Sequence, residues 1–270
     1  MALLLLGCEK SAPAFPEDYG RTPVLLVHGL GENSNVWTPL RISLERAGYP
    51  AAYVAAVNLE PSDGANAQAA ETQLAPAVDS LLARARQAAA RAGAPSPVRV
   101  DLVAHSMGAL SSRYYTALLH PELVRRWISL AGSNHGSDRF CPSSGPASHD
   151  LCPAFAALGI QERLNGTGAA PRDESPFGIG EDGHAAARVP PDSARRIGYF
   201  SLHADREEWI VPDSSTALDG TGGTPVSIDD LKRVTRRRDG DYLVTGTDHD
   251  KLIRDRQALQ LITRLLSAPD

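Results

Sequence analysis

Ala104-His105-Ser106-Met107-Gly108 holds a serine between two small residues, just after a β-rich apolar run and just before an amphipathic stretch. This is a nucleophile-elbow pattern, with alanine in the place of the usual first glycine. A serine on a sharp strand-to-helix turn has a strained backbone, so the positions two before and two after it must be small. Such a turn presents the hydroxyl at the carboxyl edge of a sheet and at a helix N-terminus, where developing negative charge is favoured. Serine is a weak nucleophile until a base takes its proton. In this arrangement the acid and then the base follow the serine along the chain. His249, in the Gly-containing loop Thr245-Gly-Thr-Asp-His-Asp-Lys-Leu252 between a strand and the last helix, is the expected base. His203 lies within a strand, and His135, His149 and His184 fall in an irregular stretch. The acid is expected just beyond the strand ending at His203, which favours Asp205 and leaves Asp213, eight positions later, as the alternative.

His28-Gly29-Leu30-Gly31 ends an earlier strand. Glycines there let the chain fold close to the serine, so the Leu30 and Met107 amides are expected to form an oxyanion hole. His28 is expected to be a hydrogen-bonding brace.

These residues need a sheet to gather them. Pro23–Val27 reads as a strand buried on both faces, as in parallel sheets. Further strands are expected over 51–57, 98–104, 127–131, 197–203 and 242–245. Helices are expected over 36–47, 66–91 with a possible kink at Pro76, 107–119 and 251–266. This alternation predicts an α/β fold with a doubly wound, mostly parallel sheet. The chain divides into a leader and tether over 1–20 and one domain over 21–270, with an irregular insertion over about 133–195 that reads as a lid or pocket wall. Arg236-Arg237-Arg238 reads as a solvated face.

The chain has 270 residues, 42% apolar and 22% charged, and a net charge of −5 from 27 basic and 32 acidic residues. That composition is globular, and the mild acidity argues against a nucleic-acid partner. No protein partner is evident. Leu5-Leu6-Gly7-Cys8 resembles the lipobox of bacterial lipoprotein signals, so Cys8 is expected to be lipidated and to tether the protein to a membrane; the signal would then begin upstream of Met1. The expected location is the cell envelope, as a lipoprotein, or outside the cell. Cys141 and Cys152 are left as an even pair and are expected to form a disulfide. No C-x2-C metal spacing occurs, so no zinc site is expected.

The chain resembles the bacterial α/β-hydrolase lipases, especially the compact class-2 triacylglycerol type. The likeness lies in Pro23–Leu30, Val100–Gly108, Ser129-Leu-Ala-Gly-Ser-Asn-His-Gly136, Ala204-Asp205 with Val211–Ser215, Leu218-Asp219-Gly220, and Gly246-Thr-Asp-His249. It implies carboxylic ester substrates, often with lipid-like acyl chains, no organic cofactor, and Ser106, Asp205 and His249 as the triad. The 133–195 insertion departs from the family pattern and leaves chain-length preference open; extra residues between Leu218 and Tyr242 leave the path of the last strand open. Two alternatives stand beside a lipase: an esterase or thioesterase for short soluble substrates, and a non-catalytic binding module on the same fold.

Overall fold

A computed structural model describes residues 15–155, 159–167, 197–218 and 240–269, with short strand segments at 170–171, 178–179, 185–186 and 226–227. Cys8, His184, Asp219 and Arg236–Arg238 lie outside the described residues. The central sheet contains β1 (Val24–Val27), β2 (Val54–Val57), β3 (Val100–His105), β4 (Val124–Leu130), β5 (Gly198–Arg206), β6 (Val226–Ser227) and β7 (Gly240–Asp248). Its order is β6-β7-β5-β4-β3-β1-β2, and every neighbouring pair is parallel.

The continuous apolar runs follow from burial on both faces. Leu25, Val27, Leu102, Ala104 and Trp127 face α2 (Ala75–Ala92) and α3 (Met107–Tyr114), where Val78, Leu81 and Leu110 complete one core layer. Val24, Leu26, Val103, Ile128 and Leu130 face the other way. There they meet Leu40 and Leu44 of α1 (Thr38–Arg46) and Leu261, Ile262 and Leu265 of the C-terminal helix Arg256–Ser267.

Several elements differ from the sequence reading for local reasons. Residues 51–53 wind into a 3-10 turn before β2 begins. The expected helix over 66–91 contains a wider π-type turn at Ala70–Leu74, just before Pro76, whose ring nitrogen cannot donate. The last helix divides in two: Asp255 accepts the amides of Gln257 and Ala258 and starts a new helix after the short His249–Leu252 segment. β5 runs three residues past His203, which has consequences for the acid.

The chain runs outward from β1 to β2 and then returns to lay β3 on the other side of β1. That reversal opens a crevice at the carboxyl ends of β1 and β3, where ligands bind in open α/β sheets. His28–Leu30 leaves one of those ends and Ser106 the other.

Candidate active site

Ser106 occupies φ 52°, ψ −125°, a conformation rare for any residue but glycine, directly before the first turn of α3. Its amide donates to the Leu130 carbonyl at 2.9 Å, which anchors the turn to β4. The glycines on either side of this contact have no room for a side chain. A Cβ on Gly108 would fall 2.3 Å from the His28 carbonyl oxygen, and one on Gly29 would fall 2.9 Å from the Ser106 Cβ. The elbow and the turn after β1 therefore touch backbone to backbone. Ser106 is 8% exposed and opens into a cavity of about 140 Å³, shared with Leu30, Phe140, Trp209 and His249.

His249 reaches that cavity from the end of β7. Its Nδ1 lies 2.8 Å from Glu207 Oε1, and both side chains are almost completely buried. A carboxylate only accepts, so the Nδ1 proton faces Glu207 and the lone pair of the neutral ring is on Nε2. Burial opposes a charge on Glu207, but the hydrogen bond and attraction from His249, with amides from Ile210 and Trp209, outweigh it. The carboxyl is held below the ordinary glutamate range.

Asp205, the expected acid, is not the carboxylate that meets His249. Asp205 is still within β5, because the strand continues to Arg206. Its carboxylate accepts the amides of Gly246 and Thr247 at 2.8 and 3.0 Å, bracing β7 rather than orienting His249. Those two amides and Arg206 hold it below the usual aspartate range. Asp213 opens a 3-10 turn, Asp213–Thr216, and its carbonyl accepts from the Thr216 hydroxyl. Glu207 is the first residue beyond the strand, which continues three residues past the end at His203 that the sequence predicts. The signal was present in Asp205-Arg-Glu-Glu208, which offers three carboxylates in four positions, and glutamate serves as well as aspartate in this place.

His28 is the expected brace. The Leu59 amide donates to its Nε2 at 2.9 Å, so its proton lies on Nδ1, 2.8 Å from the Gly29 carbonyl. A trans peptide directs its two ends oppositely, so holding the Gly29 carbonyl fixes the direction of the Leu30 N–H. Met107 begins α3, where its amide lacks an intrahelical partner.

Cys141 and Cys152 are joined by a disulfide, as expected. It staples the segment carrying Phe140, which lies against Trp209 at a 6.5 Å ring separation. Ser137 ties this segment to the loop that follows Glu207. Its hydroxyl donates to the Trp209 carbonyl and accepts from the Val211 amide, while the Asp138 amide donates to the Val211 carbonyl. Among the described residues no group of three or more potential ligands could hold a metal ion, and no helix is long and apolar enough to cross a membrane.

An elbow serine, a helix at its back and a crevice at the β1/β3 reversal are the frame of one large family, and its sequence pattern matches residues 24–269. The chain belongs to the alpha/beta hydrolase family. Among solved structures it is similar to a lipase of Bacillus licheniformis in its mature form, at 17% identity and a TM-score of 0.56, covering 93% of this chain and 94% of that one. It is also similar to lipase B of Aspergillus fumigatus, at 15% identity and a TM-score of 0.60, covering 94% of this chain. This hydrolase spans 55% of that fungal chain. The naproxen esterase of Bacillus subtilis matches at 14% identity and a TM-score of 0.51, covering 93% of this chain and 86% of that one. At these identities the likeness establishes the fold.

Proposed function

We propose that this hydrolase cleaves carboxylic esters through an acyl-enzyme on Ser106, with His249 as base and Glu207 as its orienting acid. One observation carries the reading: a serine in a strained elbow conformation shares a cavity with a histidine whose Nδ1 faces a buried carboxylate. His249 Nε2 takes the Ser106 proton as the oxygen attacks the acyl carbon. The charge that develops on the carbonyl oxygen is met by the Leu30 and Met107 amides, each worth about 10²–10³-fold in turnover. The imidazolium, stabilised by Glu207, gives its proton to the leaving alcohol, and water repeats the sequence to release the acid. The esterase and lipase names of the structural neighbours support the ester class.

Lipid-like acyl chains are the preferred substrates in this reading, laid along Phe140 and the exposed Trp209. The modest cavity volume, about 140 Å³, favours a second reading in which short soluble esters are taken instead. A p-nitrophenyl ester panel from C2 to C18, run on wild type and Ser106→Ala, tests both. Loss of hydrolysis and of fluorophosphonate labelling in the variant is expected, and retained hydrolysis refutes the reading. A rate that jumps once substrate exceeds its solubility supports the lipid-like class; saturation on C2–C4 alone supports the short one.

The lipobox-like Leu5-Leu6-Gly7-Cys8 supports a membrane tether in addition. Palmitate labelling in a bacterial host should then disappear in Cys8→Ser.

A further inference from the structure

Beside the elbow lies a second carboxylate–imidazole pair that the reaction above does not use. Glu32 Oε2 is 3.0 Å from His105 Nδ1, and the other ring nitrogen, Nε2, is 3.2 Å from the backbone carbonyl of His249. Glu32 Oε2 also accepts the Gly29 amide at 2.7 Å. The His105 side chain is 2% exposed, and its ring centroid is 4.8 Å from that of His249. The pair thus touches the turn bearing Leu30 and the main chain of His249, and His105 directly precedes Ser106 in the chain.

A carboxylate and a carbonyl oxygen are both acceptors, so each ring nitrogen of His105 faces an acceptor. Hydrogen bonds to charged partners are shorter and stronger than neutral ones. Although burial works against its charge, Glu32 is held below the ordinary glutamate range by His105 and the Gly29 amide.

We propose that Glu32 and His105 are positioning residues that hold the oxyanion turn, the nucleophile and the base in one register. The proposal rests on the reading of Ser106 as nucleophile and His249 as base. It differs from a purely structural role in one respect: the contact from Nε2 to the His249 carbonyl sets where the base sits, so its loss slows turnover without weakening substrate binding. Misplacing reacting groups by about 1 Å costs on the order of 10²-fold.

Two amides separate the contacts of the ring. Glutamine at position 105 can put an N–H near the place of Nε2, whereas asparagine can put one near Nδ1 and leaves the His249 carbonyl unmet. On p-nitrophenyl acetate, His105→Asn is expected to lower kcat by about 10²-fold with KM within threefold of wild type. His105→Gln should stay within about tenfold of wild-type kcat, with matched melting temperatures for the two variants. Equal kcat in the two variants, or a loss confined to KM, overturns the proposal. Should His105→Asn not fold, Glu32→Gln decides: it is expected to lower kcat about tenfold at unchanged KM, and wild-type kcat overturns the proposal. Ser106→Ala is assayed alongside. If it still hydrolyses ester, the underlying reading fails; if it is inactive while the position-105 variants turn over equally, only the positioning role fails.

Discussion

Among the described residues, two clusters bring together a serine, a histidine and an acid, and they differ in how the serine is held. In the first, Ser106, His249 and Glu207 come from three different strand ends; Ser106 and His249 share a cavity, and Glu207 meets the Nδ1 of His249. In the second, Ser201 and His203 lie two apart on β5, and Asp241 pairs with Ser201 from β7. There the Ser201 hydroxyl donates straight to Asp241, and the same oxygen lies 3.0 Å from His203 Nε2. The serine proton is already committed to the carboxylate, so the oxygen can only receive from the imidazole. Ser201 is fully buried in the middle of a regular strand. Residue types therefore do not make a nucleophile. Strained exposure of the hydroxyl, and an acid placed on the far nitrogen of the base, do.

Substitutions at the two clusters can break that contrast. The largest effect after loss of Ser106 itself is expected from Glu207→Ala, which removes the partner that sets the His249 tautomer and should lower kcat by about 10³–10⁴-fold. Steady-state kinetics on a soluble ester check this, and a loss below tenfold would return the acid to another residue.

Glu207 also makes a pH prediction. Its folded carboxyl titrates below the usual 4.5, so its stabilising contribution is complete above that value and is lost as pH falls through the lowered one. The melting-temperature gap between wild type and Glu207→Gln should be constant from pH 7 to about 5 and close below about 4.5.

In the second cluster, Ser201→Ala leaves a buried carboxylate short of a partner and should cost about 1–3 kcal/mol of stability in denaturant unfolding. Its kcat should stay within twofold of wild type; a tenfold fall would mean that the second cluster takes part in turnover. The smallest effect is expected at Asp205, whose carboxylate is partly exposed on two β7 amides. Asp205→Asn should change kcat by less than threefold, which separates it cleanly from Glu207.

The fold was legible because its strands are buried on both faces. Val24–Val27 and Val100–His105 could be placed within about two residues from apolar runs alone, and the serine from the small residues around it. The acid was not legible at the same precision. Its identification depended on one strand end, and β5 continues through Ala204-Asp205-Arg206, where polar residues hide the continuation. Glu32–His105 was invisible for a different reason. Its members are 73 positions apart, and although His105 sits in the elbow segment, nothing in that segment points to Glu32. Spacing along a chain reveals turns and faces; it does not reveal which acceptor a ring nitrogen meets.

Ser137 joins the disulfide-stapled wall of the cavity to the loop that carries Glu207. Selectivity and speed are consequently mechanically linked in this enzyme. Under the proposed mechanism, a chimera that swaps in a foreign wall to accept a bulkier acyl group also shifts the support beneath Glu207, so gains in scope arrive with losses in rate until the Ser137 and Asp138 ties to that loop are rebuilt.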